Sequence, residues 1–577
     1  MKTTTPSGRW PVRNLDPRAV PKTERPVSEK NLSGVKNFLG LYGGEHIAAT
    51  EFIFGATLVM WGVPAKTILL GLLIGNLLAV LSFTFFAAVM GTSTRLTLYA
   101  YLKKVIGPYA QRFYNLVWGL CSIALAGSGI AVAATALREV IGAPIQTEWY
   151  PTSMSFVVAA VIMGLVVAIV AANGFEACAR FASAAVPWMI VIFFVGALVA
   201  LPQLAAATGA SIGSFADIWA IFDSNVGSGS GNPDAEPMTI FHVACFAWLI
   251  NLAWHVGSND MGLFRFAKNY KYGYLSAIGM FVGHYFAWVM VAIMGAAAAA
   301  VLGQSLTVLD PGAVTNTVFG LTGITAVIVA GWTTANPTIY RAALSLNTVL
   351  PRLSHRQFTY GVGVIMTVLA CFPAMTNIGN VVQVLGWATV GIGAIIIIEQ
   401  FLFPKIGFTR YWAMYRGVKI NWAAMIAWGV SILFVLIMLG TGAMHPNFIF
   451  IPEFFIAGAC YLVLARIMGA RDDYRAEELR EERFQKELKD LVDEEMEEQL
   501  SQGENKDTKT SGRVAGVLAI VAYAALAGII VTGFFTYAEA MAVDSFKVVA
   551  FGLTVVYFVL NGTATYINYK NEPAALT

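Results

Sequence analysis

Fourteen apolar stretches divide the chain, and each is long enough to cross the roughly 30 Å hydrocarbon core of a membrane as a helix. The chain is 57% hydrophobic and only 12% charged, with a mean hydropathy of +0.66. An ordinary water-soluble globule cannot hold this much apolar sequence, so the pattern predicts an all-α protein that crosses the bilayer many times. The predicted segments are 37–62, 66–90, 110–138, 153–173, 181–203, 238–262, 273–302, 314–347, 357–376, 379–404, 420–440, 446–468, 513–537 and 545–567.

The basic residues between these segments predict an orientation. Loops that hold Lys and Arg alternate with loops that hold almost none, as the positive-inside rule requires. The predicted inner loops contain Lys103, Lys104, Arg180, Arg265, Lys268, Lys271, Arg352, Arg356, Lys405, Arg410, Arg416 and Lys419. We therefore expect an inner (plasma) membrane protein with both termini cytoplasmic. The polar stretch 1–36 lacks the apolar run and cleavage site of a signal peptide, so we expect it to remain as a tail.

Composition argues against several functional classes. The net charge of +3 is small and spread along the chain, which gives no surface for nucleic acid. The five cysteines lie singly in apolar runs and are interpreted as small buried hydrophobic residues. The cytoplasmic segments show no nucleophile–base pair, metal-ligand cluster or phosphate loop, so we expect neither an enzyme nor a bound cofactor.

Two predicted segments are interrupted by glycine and polar residues. The first contains LYGGEHIAATEF at 41–52, and the sixth contains WLINLAWHVGSNDMG at 248–262. Irregular backbone at membrane depth is tolerated only where it is buried in protein or lines a cavity. The first and sixth segments hold matching places in two consecutive blocks of five. This pairing predicts a transporter built from inverted repeats, with its site near the membrane midplane.

The eighth segment contains a candidate ion site. Thr333 and Thr334 are adjacent hydroxyls, and Pro337 removes a backbone donor, which leaves a carbonyl one turn back without its partner. Several hydroxyl and carbonyl oxygens together can replace the hydration shell of a monovalent cation. The alternative is that each threonine only bonds to its own helix four residues back.

Pieces of several segments recur in one known family. They are Gly75, Asn76, Leu77, Gly91, Thr94 and Gly107, then Arg265-Phe266-Ala267-Lys268, then Ala330-x-Trp332-Thr333-Thr334. Spread over roughly 36–468, these pieces resemble the nucleobase:cation symporters, which include purine, cytosine, allantoin and hydantoin permeases. Arg95 stands where that family usually has glycine.

The resemblance implies a leucine-transporter-type fold, with a 5+5 inverted-repeat core and about four additional transmembrane helices. The chain is then divided into an N-terminal tail (1–36), a ten-helix transport core (37–404), helices 11 and 12 (405–470), a charged cytoplasmic helical insertion (471–512), two extra transmembrane helices (513–567) and a C-terminal tail (568–577). The insertion is interpreted as a solvated helix, with a regulatory or partner-docking helix as the alternative.

In sodium-coupled members of that family, two carbonyls of the broken first helix complete an ion site with the eighth. The resemblance places sodium, the expected coupling ion, at the carbonyls of His46, Ala49 and Ala330 and the hydroxyls of Thr333 and Thr334.

The resemblance also implies that the substrate lies among the first, third, sixth and eighth segments. The expected contacts are Gly44, Glu45, Trp118, Ser122, Trp254, His255, Asn336 and Ile339. Ser122 stands where hydantoin and allantoin permeases have Gln, and Ile339 stands where they have Asn. The amide pair that fits a nucleobase edge is therefore missing as such, although Asn336 lies three positions before Ile339.

Three carboxylates are predicted at membrane depth: Glu45, Glu51 and Asp260. A charge there costs about 2.5–3.5 kcal/mol on insertion scales, so a functional role is the default. We assign Glu51 and Asp260 to coupling or gating. Pairing with a cationic substrate, proton coupling through Glu45 or His46, and a structural salt bridge stay open.

The leading prediction is sodium-coupled symport of a nucleobase or related small nitrogen heterocycle into the cell. One alternative is proton- or sodium-coupled transport of a small cationic or amine-like solute, because of Glu45 and Glu51. The other is a membrane sensor that keeps a transporter fold and uses 471–512 as its output helix.

Overall fold

The computed structural model describes residues 16–571 except 173–174, 228–231, 233–237, 253–254, 348, 350–354 and 502–508. Every regular element in this part of the chain is helical. The α-helices are α1 (Val35–Glu45), α2 (Ala49–Met60), α3 (Ala65–Ser82), α4 (Ala88–Thr94), α5 (Leu98–Ile106), α6 (Pro108–Val140), α7 (Met154–Ala172), α8 (Phe175–Thr208), α9 (Phe215–Gly227), α10 (Ile240–Leu252), α11 (Met261–Phe264), α12 (Ala287–Leu302), α13 (Pro311–Asn347), α14 (His355–Ala370), α15 (Ile378–Ile397), α16 (Trp412–Tyr415), α17 (Trp422–Thr441), α18 (Phe450–Ile467), α19 (Arg475–Ser501), α20 (Lys509–Tyr537) and α21 (Val543–Asn571).

Eleven of the described helical stretches are long and apolar enough to cross a membrane. The first and sixth predicted segments are absent from this set because each is split, into α1 and α2 and into α10 and α11. The ninth is absent because α14 is only 16 residues long. Each of the predicted segments therefore contains helix, and the chain is a multi-pass membrane protein.

The first break separates α1 from α2. The paired glycines near the end of α1 are poor helix formers, each costing about 1 kcal/mol relative to alanine, and the backbone of Ala48 is extended (φ −142°, ψ −169°). The α2 helix then begins at Ala49 without a side-chain cap of its own. Its first amide instead donates to the hydroxyl of Thr334 on α13, at 3.0 Å, which satisfies a backbone donor that the helix start leaves open.

The second break follows α10. His255, Val256 and Gly257 all have positive φ (64°, 55° and 82°), and this conformation costs a residue with a Cβ about 1–2 kcal/mol. The amide of His255 donates to the hydroxyl of Thr389 on α15 at 3.2 Å. A short 3₁₀ turn and α11 then continue the chain. Tertiary packing therefore holds a backbone turn that the local sequence would not adopt alone.

The end of α6 is tied to the start of α13 by a buried ion pair. Arg138 donates to both carboxylate oxygens of Asp310, at 2.7 and 2.8 Å, and Glu139 lies 2.7 Å from the same guanidinium. The amide of Gly312 donates to the Thr135 hydroxyl at 3.2 Å. These contacts hold α6 and α13, two of the longest described helices, together at one end.

The last two helices pack on each other and on α8. Pro187 lies inside α8 and has no N–H to give to the preceding turn. In that turn the carbonyl of Ala184 accepts a hydrogen bond from the Tyr557 hydroxyl at 2.8 Å. Asn561 donates to the same hydroxyl at 2.9 Å. The α20–α21 hairpin thus bonds to the backbone of α8 in the turn before Pro187.

The charged segment forms α19, which lies against a strip of the N-terminal region. We call residues 24–33 the N-terminal strap. Ion pairs join strap and helix: Arg25–Glu495 at 2.9 Å, Lys489–Glu29 at 2.7 Å, and Lys30–Glu497. The other side of the strap bonds to the backbone near the membrane helices, where Ser33 donates to the carbonyl of Phe266 at 2.9 Å. Two residues after Ser33, α1 begins.

Candidate functional site

Both helix breaks open onto one internal cavity. The first break contributes His46, Ala48 and Thr50 to the lining, and the second contributes Gly257, Asn259 and Asp260. The lining also includes the apolar side chains of Phe54, Phe83, Leu125, Ile250 and Val382. A small solute in this space would meet both polar groups and hydrophobic side chains.

Thr333 and Thr334 of α13 also line the cavity. Both hydroxyls donate to the carbonyl of Ala330, at 2.9 and 3.0 Å, as the helix-only alternative predicts. A hydroxyl that donates keeps acceptor capacity, and Thr334 uses it for the amide of Ala49. Three oxygens are thus clustered beside the first break. The α2 helix contacts these oxygens through the Ala49 amide nitrogen. Ion ligation by the His46 and Ala49 carbonyls stays a prediction.

Asp260 lies at the cavity edge, just after the second break. Its Oδ2 atom accepts a hydrogen bond from the Tyr42 hydroxyl at 2.8 Å. Tyr42 belongs to α1 and Asp260 to the turn before α11. The contact therefore joins the half-helices at the two breaks.

A polar network connects four helical elements near the cavity. Asn76 accepts from the Asn251 amide at 2.9 Å, and the Asn251 oxygen lies 2.6 Å from Nδ1 of His284. Nε2 of His284 lies 3.5 Å from Glu51 Oε1, and Thr50 donates to the other Glu51 oxygen at 2.5 Å. Glu51 is fully buried, so its predicted coupling or gating role would act through this network and not through open contact with solute.

His284 is a site residue that the sequence reasoning did not identify. It lines the cavity beside His46, with the ring centroids 4.9 Å apart. The available signal was a single ionisable residue inside the apolar run 273–302, since such residues are rare at membrane depth and mark functional positions.

The predicted substrate contacts on α6 point elsewhere. Trp118 is 2% exposed and its indole N–H donates to the Tyr99 hydroxyl at 2.9 Å. His255 packs against it with ring centroids 4.9 Å apart. Ser122 donates to its own helix at the Trp118 carbonyl, at 2.8 Å. These three residues are in one buried region outside the described cavity lining.

Asn336 and Ile339 are likewise outside that lining. With its amide nitrogen turned toward Val167, Asn336 donates to the Val167 carbonyl on α7 at 3.1 Å and accepts from the Trp332 indole at 2.6 Å, and this orientation satisfies both amide atoms. Ile339 is completely buried in an apolar cluster shared by α6, α7, α13 and α14. Substrate contact by the buried residues of α6 and α13 stays a prediction, whereas Asp260, His46, Thr333 and Thr334 do meet at the cavity.

The remaining predicted contacts surround the breaks. Gly44 lies in the last turn of α1. The Glu45 side chain and the whole of Trp254 lie outside the described part of the chain, so their predicted roles are untouched by the geometry.

No protein-family model and no curated protein matches the sequence. Solved structures do match over most of it. Mhp1, a nucleobase-cation-symport-1 family transporter, in a closed conformation with bromovinylhydantoin bound, is 16% identical, with 78% of this chain and 95% of Mhp1 covered and a TM-score of 0.56. The inward-facing conformation of Mhp1 is also 16% identical, with 78% of this chain and 94% of Mhp1 covered and a TM-score of 0.57. A Na⁺-coupled sialic acid symporter in a substrate-bound outward-open state is 15% identical, with 75% and 90% covered and a TM-score of 0.52.

At these identities the likeness establishes the fold. The chain has the leucine-transporter-type inverted-repeat architecture that the resemblance implied. The paired helix breaks had predicted its inverted repeats, and α20 and α21 pack outside this core against α8.

Proposed function

We propose that the chain is a secondary active transporter that moves a small solute by alternating access. The observation that supports this most is one cavity lined by both helix breaks and by the two threonines of α13. Broken helices at matching repeat positions present unpaired backbone groups to a central site, and one repeat can then move against the other around it. The similar solved structures named above are described as transporters and symporters.

The proposed coupling ion is sodium. Ala330, Thr333 and Thr334 supply three clustered oxygens, and the carbonyls of His46 and Ala49 are the proposed ligands from the first break. An ion bridging α13 and the first break would replace the bond from the Ala49 amide to Thr334 and so favour one of the two access states. The membrane potential adds about 2.3 kcal/mol per charge per 100 mV to its entry.

The proposed substrate is a nucleobase or a related small nitrogen heterocycle, taken up into the cell. The cavity lining combines the aromatic side chains of Phe54 and Phe83 with the polar side chains of Asn259 and Asp260, and both kinds of group suit a flat ring with polar atoms on its rim. Glu51 already binds Thr50 and faces His284. This weakens the alternative of a cationic solute paired with Glu51.

The proposed placement is in the plasma membrane, with both termini in the cytoplasm. The strap and α19 then lie on the cytoplasmic side. Because α19 contacts the chain's own N-terminal region, a separate protein partner is not needed to explain its charge.

The test is sodium-dependent uptake by the full-length protein in proteoliposomes. Radiolabelled hydantoin, uracil and cytosine are the probes, and each is measured with an inward gradient of sodium or of choline. We expect accumulation in sodium only. Thr334→Val replaces the hydroxyl by a methyl group of nearly the same size and so removes one oxygen ligand. It should raise the sodium concentration for half-maximal uptake at least about tenfold.

Thr325→Val is the matched control. Thr325 lies on the same helix, and its hydroxyl bonds to its own helix at the Leu321 carbonyl, 2.8 Å away, so sodium dependence should be unchanged. Uptake of a probe that is indifferent to sodium and to Thr334→Val would contradict the ion site. Uptake confined to small organic cations would support the alternative substrate class.

A further inference from the structure

Charged and polar side chains fasten the N-terminal strap to the second half of α19. Four side-chain contacts join the two: Arg25–Glu495, Ser28–Asp493, Glu29–Lys489 and Lys30–Glu497. Arg25 donates to both oxygens of Glu495, each at 2.9 Å, which is a strong geometry for an ion pair. The stretch 487–498 of α19 holds seven acidic residues and one lysine, so it attracts the cations of the strap.

The strap is also bonded to the backbone at the ends of two core helices. Val27 donates to the carbonyl of Arg95 at 3.1 Å, and Arg95 ends α4 in a left-handed conformation (φ 58°). The Arg95 side chain donates to the carbonyls of Arg265 and Ala267, at 3.0 and 2.5 Å. Both carbonyls follow α11 directly. The strap is therefore linked to the chain that leaves the second helix break.

The strap leads into the half-helix that ends at the first break. Ser33 is its last residue, and α1 begins two residues later. Phe38 of α1 stacks on Phe264 of α11, with ring centroids 6.1 Å apart, so the two half-helices pack together. In a fold of inverted repeats, access changes when one group of helices moves against the rest. A movement of α1 and α11 as a pair would pull on the strap.

The α19 helix is attached to a different element, α5. Lys104 of α5 lies 2.8 Å from Glu481 in the first half of α19. The neighbouring Lys103 lies 2.7 Å from Glu24 at the start of the strap. Strap and α19 together therefore connect α5 to the half-helices α1 and α11.

These ion pairs differ in their exposure to water. The side chains of Lys104 and Glu481 are 16% and 11% exposed, whereas those of Lys489 and Glu29 are 46% and 61% exposed. Dissolved salt screens exposed charges strongly and buried charges much less. Salt should therefore release the strap from α19 while α19 stays on α5.

We propose that the strap and α19 restrain opening of the cavity toward the cytoplasm, and that a rise in cytoplasmic ionic strength releases this restraint. The inference rests on the proposed function and adds a control of its rate. Opening on that side separates α1 and α11 from α5, and this separation breaks the pairs between strap and α19. Screening lowers the cost of breaking them, so the state open to the cytoplasm becomes more populated in high salt.

The test measures how fast a cysteine in the cavity reacts from the cytoplasmic face. Thr338 of α13 lines the cavity, and Thr338→Cys is made in a full-length chain whose five native cysteines are replaced by serine or alanine. Inside-out membrane vesicles present the cytoplasmic face to a membrane-impermeant maleimide, and sucrose keeps the osmolarity constant. Labelling should be about 3- to 10-fold faster in about 0.5 M potassium chloride than in about 0.1 M.

Arg25→Gln and Glu495→Gln, each added to this reporter chain, remove one partner of the bidentate pair. Each should speed labelling in dilute salt by about 3- to 10-fold and reduce the effect of added salt. The double variant Arg25→Glu with Glu495→Arg restores opposite charges and should label more slowly than either single variant, which simple misfolding would not produce. Glu478→Gln is the matched control, because Glu478 pairs with Arg475 inside α19, and its labelling should be unchanged.

Three results separate the outcomes. Labelling that rises with salt in the reporter chain and is already fast in both single variants supports the inference. One labelling rate for all variants at both salt concentrations overturns it and leaves the transport proposal standing. If no native variant is labelled in any salt, although all are labelled after denaturation, the cavity does not open to the cytoplasm, and the alternating-access proposal is overturned as well.

Discussion

Replacing Asp310 with asparagine should destabilise the protein strongly, because this carboxylate balances a guanidinium that is almost inaccessible to water. The Arg138 side chain is 3% exposed and that of Asp310 is 14% exposed. Two parallel N–H···O bonds join them at 2.7 and 2.8 Å. Asp310→Asn keeps the size of the side chain and one acceptor but removes the negative charge.

The expected size follows from what remains around Arg138. Breaking a buried ion pair by removing one partner costs about 3–5 kcal/mol. Glu139 still lies 2.7 Å from the guanidinium, and the Ala143 carbonyl still accepts from it at 3.1 Å. Because this compensation is partial, we expect Asp310→Asn to lower the free energy of unfolding by about 2–3 kcal/mol.

The assay is reversible unfolding in mixed micelles, followed by tryptophan fluorescence. The matched control is Asp544→Asn, because the Asp544 side chain is 99% exposed and its Lys547 partner is 4.0 Å away. That change should cost no more than about 0.5 kcal/mol. Equal effects of the two substitutions, or a loss below about 0.5 kcal/mol for Asp310→Asn, would refute the reasoning that burial sets the magnitude.

Two further predictions concern packing and charge. A Cβ on Gly283 would overlap the His46 carbonyl, so Gly283→Ala should lower the free energy of unfolding by about 1–3 kcal/mol and slow uptake. Gly429 has open space around it, so Gly429→Ala should change neither quantity. Similar effects of the two substitutions would contradict this prediction. The hydrogen bond from Lys489 holds the pKa of Glu29 below its ordinary 4.5. Its stabilising contribution is complete above that ordinary value and is lost as pH falls through the lowered pKa. Limited proteolysis should therefore cut the strap faster at pH 3 than at pH 7. It should also cut the strap faster in 1 M salt than in dilute salt, because the Debye screening length is then about 3 Å. A cleavage rate that depends on neither pH nor salt would contradict the role of ion pairs in holding the strap.

The fold could be predicted because length and interruption are properties of the sequence itself. Apolar runs of membrane length predicted the spans, and the Gly-rich polar breaks predicted the split into α1 and α2 and into α10 and α11. Those breaks also led to His46 and Asp260, which do line the cavity. Backbone polar groups that leave a membrane helix need hydrogen-bond partners, so such breaks are buried in protein or line a cavity.

The sequence could not predict which side of its helix each of these side chains faces. A family resemblance assigns Trp118 a place along α6, but the contacts with Tyr99 and His255 decide which way its ring points. Ile339 differs from the usual residue and is buried against α7 and α14. The sequence marks His284 only as an ionisable residue inside an apolar run, and its partners Asn251 and Glu51 lie 33 and more than 200 residues away. Contacts between distant segments carry no local signature.

The bond between Tyr557 and Ala184 joins residues 373 positions apart, and this separation has a consequence for how the protein is made. At an elongation rate of about 5–20 residues per second, roughly 20 to 75 seconds pass between synthesis of Ala184 in α8 and synthesis of Tyr557. During that interval α8 lacks the hydrogen bond that Tyr557 later donates to it. The final hairpin therefore packs against a helix made early, and a ribosome that stops before α20 releases a protein in which this face of α8 has lost its partner.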